Sequence, residues 1–166
     1  MITIFINIFS NLLETWLFFY LIRNRLLLKK NNRLITICFI TQFILISIMN
    51  VIQIDSVIRM ILTLIIQIGN SFLLSQSKKT VTFFWGSIYM IIVIFSDACT
   101  FQLGAIFTNY SALERLYNKP ISLILTFVYL YICIIMVLII SKKHYQKFMF
   151  PWYYYILLVL LFFLVP

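Results

Sequence analysis

Long apolar runs separated by short polar breaks dominate the chain, and the positions of the breaks predict its elements. Six runs read as bilayer-crossing helices, each of which needs about 20 apolar residues: 2–22, 34–54, 57–74, 81–107, 120–140 and 152–166. The third is short, and the fourth is longer than a crossing requires. Pro120 falls in the first turn of the fifth run, where a missing backbone N–H costs nothing. Runs two and three meet at Asp55-Ser56, a turn tight enough to make them an antiparallel pair. The expected fold is all-α: a polytopic transmembrane helix bundle of six spans, with residues 1–166 as a single transmembrane domain.

Polar residues inside these runs are not scattered. In the first run Thr3, Asn7, Ser10, Asn11 and Glu14 recur at three- and four-residue steps, which puts them on one helix face. Thr63, Gln67, Asn70 and Ser71 do the same in the third run, with Gly69 expected to allow close helix approach. Ser96, Asp97, Thr100 and Gly104 share a face of the fourth. Polar groups facing lipid are expensive, so each stripe must face protein or water. The simplest packing turns the three stripes toward one another, with Asn7, Asn11, Glu14, Gln67, Asn70 and Asp97 as the polar core. Such a core can be interhelical hydrogen-bond glue, at about 0.6 kcal/mol per contact, or a ligand-responsive site.

Depth separates the two acids. Glu14 is nine residues before Arg23, roughly 13 Å from the end of its span at 1.5 Å per residue. That is near the midplane, with no Lys or Arg at the same depth. Asp97 lies eighteen residues after Lys79, toward the opposite end of its span. A carboxylate at the midplane loses its water, so Glu14 is expected to be protonated or hydrogen-bonded to Gln67 or Asn70.

Composition supports the membrane reading and charge adds an orientation. Hydrophobic residues make up 64% of the 166, and mean hydropathy is +1.08; a soluble domain of this size could not hide that much apolar surface. Ten of the 13 Lys and Arg fall in alternate loops: Arg23, Arg25, Lys29, Lys30 and Arg33, then Lys78 and Lys79, then Lys142, Lys143 and Lys147. The opposite loops hold Arg59, Arg115 and Lys119, partly offset by Asp55 and Glu114. Cytoplasmic loops collect Lys and Arg, so the N-terminus is expected outside a cell membrane. The net charge of +9 is accounted for by this rule, so no nucleic-acid partner is expected. Attraction of the first basic loop to anionic headgroups adds about 1 kcal/mol per residue.

The remaining chemistry is sparse. Cys38, Cys99 and Cys133 lie in different spans without CxxC spacing and read as packing residues, so neither a metal site nor a disulfide framework is expected. His144, the one histidine, sits beside Lys142, Lys143 and Lys147 and has no partner for a catalytic dyad. No enzyme activity and no cofactor are expected. Trp152, Tyr153, Tyr154 and Tyr155, with Trp85 and Tyr20, suit headgroup depth as an anchoring belt. The first run holds Asn11 and Glu14 and lacks a basic region before it, unlike a cleaved signal peptide.

The opening Ile8-Phe9-Ser10-Asn11-Leu12-Leu13-Glu14, running through aromatics into the first basic loop, resembles the start of the membrane sensor region of Agr-type peptide-pheromone receptor histidine kinases, the group with a GHKL-type ATPase domain. The short third span, the acid-bearing fourth and the basic loop after the fifth are similar in layout. The sixth run, Leu157 to Pro166, resembles that region's proline-containing hydrophobic stretch. The resemblance implies a sensor for an extracellular signal, a peptide by analogy, in a two-component quorum-sensing system. Ligand contacts would then fall on Asp55 and Arg59 and on the fourth loop at Tyr110, Glu114, Arg115 and Tyr117. The chain departs from the family in having no phosphoacceptor helix and no ATP-binding motif. Six spans from an outside N-terminus cannot deliver a kinase to the cytoplasm, so the chain reads as a sensor half or as a complete small membrane protein of similar layout. Expected partners are the lipid bilayer, an extracellular peptide and a second copy in a homodimer.

Two other classes compete. A small transporter subunit would need a midplane site reached from both sides, built on broken helices or paired acids. With only three glycines, broken helices have little support. A structural membrane partner protein would need nothing beyond the bundle. A sensor is expected to keep Glu14, Gln67 and Asn70 closed to water.

Overall fold

A computed structural model describes residues 2–29, 31–52, 54–108 and 119–141. Five helices account for almost all of them: α1 (Ile2–Arg25), α2 (Asn32–Val51), α3 (Ser56–Leu74), α4 (Lys79–Thr108) and α5 (Lys119–Ser141). All five are long and apolar enough to cross a membrane, so the chain is a multi-pass helical membrane bundle. The expected sixth span, 152–166, lies outside the described residues, as do loop four and His144.

Local signals explain the helix boundaries. Asn31 caps α2 by accepting from the Leu34 amide at 3.2 Å. Asp55 caps α3 by accepting from the amides of Val57 and Ile58 at 2.9 and 3.3 Å. Capping of this kind satisfies donors that the first helical turn leaves orphaned. Pro120 occupies the first turn of α5, as its missing N–H predicts. The 30 residues of α4 give a helix of roughly 45 Å, which exceeds the bilayer's hydrocarbon core.

Sequential helices pack side by side, α5 closes back on α1, and α1 also touches α4 across the ring. The outward faces are apolar. On α2, Ile37, Ile40, Ile44, Ile48 and Val51 are all exposed at three- and four-residue steps, a stripe suited to lipid. Close approach of α3 and α4 is set by Gly86: a Cβ there would lie 2.9 Å from Ser71 Oγ and 3.3 Å from the Cα of Ile68. Gly69, expected to play this part, is exposed with open space where its Cβ would be. The periodicity assigned it correctly to α3 but could not say which side of the stripe met a neighbour.

The two ends of the bundle differ. Toward the end that carries Arg23, Lys29 and Lys78, an apolar core fills the centre: Leu17, Phe18, Leu21, Ile22, Leu74 and Val137, each fully buried. Two basic loops cover it and pair with each other. Leu28 and Ser75 form an antiparallel bridge, flanked by Lys29 N–H to Leu74 O at 2.8 Å and Gln76 N–H to Leu27 O at 2.7 Å. Arg25 ties three helices together at this end. Its guanidinium lies 4.8 Å from the Trp85 ring centroid on α4 and donates to the Ile140 carbonyl in the last turn of α5. A cation over an aromatic face and at a helix C-terminus is favourable on both counts. Trp85 therefore does more than anchor at the headgroups.

Candidate functional site

Above the apolar core, toward the end that carries Asp55, the bundle opens into a cavity of about 730 Å³ lined by all five helices. The expected stripes supply much of its wall: Asn7, Ser10, Asn11 and Glu14 from α1, Thr63 and Gln67 from α3, Asp97 and Thr100 from α4. They turn toward a shared space and not onto one another. Several hydroxyls on these helices are satisfied within their own helix. Thr15 Oγ1 donates to Asn11 O at 2.8 Å, Ser71 Oγ to Gln67 O at 2.9 Å and Thr100 Oγ1 to Ser96 O at 2.7 Å. Such back-bonding to the preceding turn is the usual alternative for Ser and Thr in a helix.

The amides carry the interhelical bonds, and they run through α2. Arg59 donates to Asn50 Oδ1 at 2.6 Å, Asn50 Nδ2 donates to Asn11 Oδ1 at 2.6 Å, and Asn11 Nδ2 donates to Ser47 Oγ at 3.4 Å. This relay links α3, α2 and α1 along one wall. A second link joins Asn70 Nδ2 to Gln42 Oε1 at 2.8 Å. Asn70 is therefore turned to α2 and does not line the cavity. This corrects its expected role as a partner of Glu14. Gln67 does not pair with Glu14 either; the side chain in hydrogen-bonding reach of the Glu14 carboxyl is Tyr129 on α5. Arg59, reaching in from the first turn of α3, interacts electrostatically with both Glu14 and Asp97. Its influence comes from the mouth of the cavity and not from a cation at the depth of Glu14.

The floor is where apolar core and cavity meet. Tyr89 packs edge-on against Phe18, with ring centroids 5.7 Å apart, and is 1% exposed. Its hydroxyl has no hydrogen-bond partner among the described residues, nor has Gln67 Oε1 at 2% exposure. Both residues line the cavity. Buried polar atoms are rarely left unpaired, so two such atoms among the cavity-lining residues, with half-buried Glu14 in the same lining, set this floor apart. Glu14 and Gln67 both line the cavity; Gln67 is almost wholly buried and Glu14 half-buried.

The other predicted contact residues divide. Arg59 lies at the exposed mouth with Asp97. Asp55 is exposed and its carboxylate is committed to capping α3. Tyr110, Glu114, Arg115 and Tyr117 lie outside the described residues. Sequence reasoning missed the contributions of α2 and α5. Gln42 and Asn50 bracket buried Ile46 at four-residue steps, and Ser122, Thr126 and Tyr129 follow an i, i+4, i+7 pattern. Both spacings were readable, but single polar residues in isoleucine-rich helices attract less notice than an acid. Cys38 and Cys133 are buried as packing residues, and all three cysteines are free. Among the described residues no group of His, Cys, Asp and Glu could hold a metal ion.

Comparison with family models, curated proteins and solved structures finds no match for the chain.

Proposed function

We propose that the chain is the membrane-embedded sensor region of a signalling system, taking an extracellular ligand into the cavity from the end that carries Asp55. The observation that carries this reading is a cavity lined by five helices whose floor is a continuous apolar core. A blind cavity suits recognition without passage. The bias of Lys and Arg toward the opposite end orients the mouth outward by the positive-inside rule. A ligand bound among several helices has a direct means of signalling: it favours whichever packing of α1, α3, α4 and α5 it contacts better, and the populations shift by that difference in affinity. A peptide remains the ligand implied by the resemblance of the α1 sequence to Agr-type sensor regions, and that resemblance also implies a quorum-sensing histidine kinase as the output.

A transporter subunit is the second reading, favoured by the two carboxyls, Glu14 and Asp97, in the lining of one cavity. Alternating access would require the same cavity to open toward the basic loops. The test is sidedness. In vesicles of both orientations, with the native cysteines replaced, Thr63→Cys is expected to react with a membrane-impermeant thiol reagent only from the face that carries Asp55. Reaction from both faces would reject the sensor reading in favour of transport, and reaction from the basic face alone would reverse the orientation.

A further inference from the structure

Resting on the reading of the cavity as a ligand site, we infer that its ligand presents a positively charged nitrogen, an ammonium or guanidinium group, to the floor formed by Glu14, Gln67 and Tyr89. The argument is one of donors and acceptors. The bonds of the α1–α2 wall run along it, from Arg59 Nη1 to Asn50, from Asn50 Nδ2 to Asn11 and from Asn11 Nδ2 to Ser47. At the floor the buried side-chain atoms left without a partner are oxygens. Gln67 Oε1 accepts from nothing among the described residues, the Tyr89 hydroxyl is unpartnered among them, and both are almost wholly buried. The Glu14 carboxyl belongs to the same lining, with Tyr129 in hydrogen-bonding reach. Acceptor oxygens on three residues that line one cavity match a group with several N–H donors and no acceptor, the inventory of an ammonium or guanidinium.

Charge and shape agree with this. With both carboxyls ionised, Glu14 and Asp97 against Arg59 leave the lining with one formal negative charge. A singly charged cation neutralises it, and in a low-dielectric setting an unpaired buried charge is costly. Tyr89 and Tyr129 place aromatic rings beside the same space, and a cation near such faces gains further. A bare metal ion would use only a small part of about 730 Å³. Met60, Met90, Val93 and Leu125 line the rest, so the nitrogen belongs to a ligand with an apolar body.

The test uses the full chain in lipid nanodiscs with Cys38, Cys99 and Cys133 replaced and Thr63→Cys introduced on the cavity wall. The rate of modification by 2-aminoethyl methanethiosulfonate is compared with that by the 2-sulfonatoethyl reagent, each relative to a free thiol. The cationic reagent is expected to be favoured about tenfold, the factor that ~1.4 kcal/mol of attraction produces, and Glu14→Gln should bring the ratio near one. 2-Phenylethylammonium should protect the thiol, while 3-phenylpropionate should not. Labelling without a cationic preference, or protection by the anion as effectively as by the cation, overturns this inference and leaves the cavity in place. Protection by sodium ions alone also overturns it, in favour of an inorganic cation site. Failure of both reagents to label the introduced thiol would remove the cavity reading itself.

Discussion

Asn11 is the joint of the polar wall, and replacing it by leucine tests whether the relay holds α1, α2 and α3 together. Its side chain accepts from Asn50 Nδ2 at 2.6 Å, donates to Ser47 Oγ at 3.4 Å and is 5% exposed. Leucine has similar bulk, so the change removes hydrogen bonds more than packing. Interhelical bonds in membrane bundles average about 0.6 kcal/mol, so two give about 1.2 kcal/mol. A stranded Asn50 amide adds a desolvation cost of about 1–3 kcal/mol where no water reaches it. Asn50 is half-buried and lines the cavity, which lowers that second contribution. The expected loss for Asn11→Leu is therefore about 1–3 kcal/mol, measured by equilibrium unfolding in mixed detergent micelles. Asn50→Leu should cost a comparable amount, since it strips both Asn11 and Arg59 of a partner. The double variant should lose less than the two singles together, because both remove the same bond. Asn7→Leu, on the same face but exposed, should change stability by less than about 0.5 kcal/mol. Strict additivity, or an Asn11→Leu variant as stable as the parent, would refute the relay as a source of stability.

Three further outcomes follow from single contacts. Glu14→Gln should fold as well as the parent, because the amide can still meet Tyr129, whereas Glu14→Leu should lose about 1–3 kcal/mol in the same unfolding assay by leaving Tyr129 unpaired. Gly86→Val should lower the unfolding midpoint, at a cost of about 1–3 kcal/mol for forcing α3 from α4, whereas Gly69→Ala should be neutral or raise stability by up to about 1 kcal/mol through helix propensity; the reverse order would mean that the α3–α4 contact is misplaced. Reporter fusions at Lys29 and Lys78 should give a cytoplasmic signal and a fusion after Ser56 an exterior one, and matching signals from all three would contradict the antiparallel arrangement of α2 and α3.

The bundle was legible because lipid imposes one rule: backbone polar groups must be satisfied within the helix, so a long apolar run has few alternatives. Helices α2 to α5 fall within a few residues of the runs that predict them, and α1 extends to Arg25 because a helix end can carry charge out to the headgroups. The three polar stripes were legible for a related reason, since only one face of each could avoid lipid. Which neighbour each stripe meets was not. A helical period gives a direction around its own axis and says nothing of the angle between helices. Thus Asn70 turned to Gln42, Glu14 found Tyr129, and Gly86 took the close contact assigned to Gly69. The existence of the cavity was equally hidden. It depends on the sum of side-chain volumes between helices, with Phe18 and Tyr89 filling the centre below Glu14 and smaller Ser10 and Thr63 standing back above it. The pairing of the two basic loops through Leu28 and Ser75 left no sequence signal beyond their position at one end.

The central claim is a wet cavity ending on a dry core, and the water profile along α1 tests it most directly. Nitroxide labels placed singly at Ser10, Glu14, Leu17 and Leu21, in lipid nanodiscs made up in deuterated water, report local water through the deuterium modulation of their echo signals. Strong modulation is expected at Ser10 and Glu14, with a sharp fall at Leu17 and almost none at Leu21, where the side chains are fully buried. Strong modulation continuing through Leu21 would reveal a water-filled path across the bundle, and weak modulation at all four positions would mean that the cavity does not exist in the bilayer.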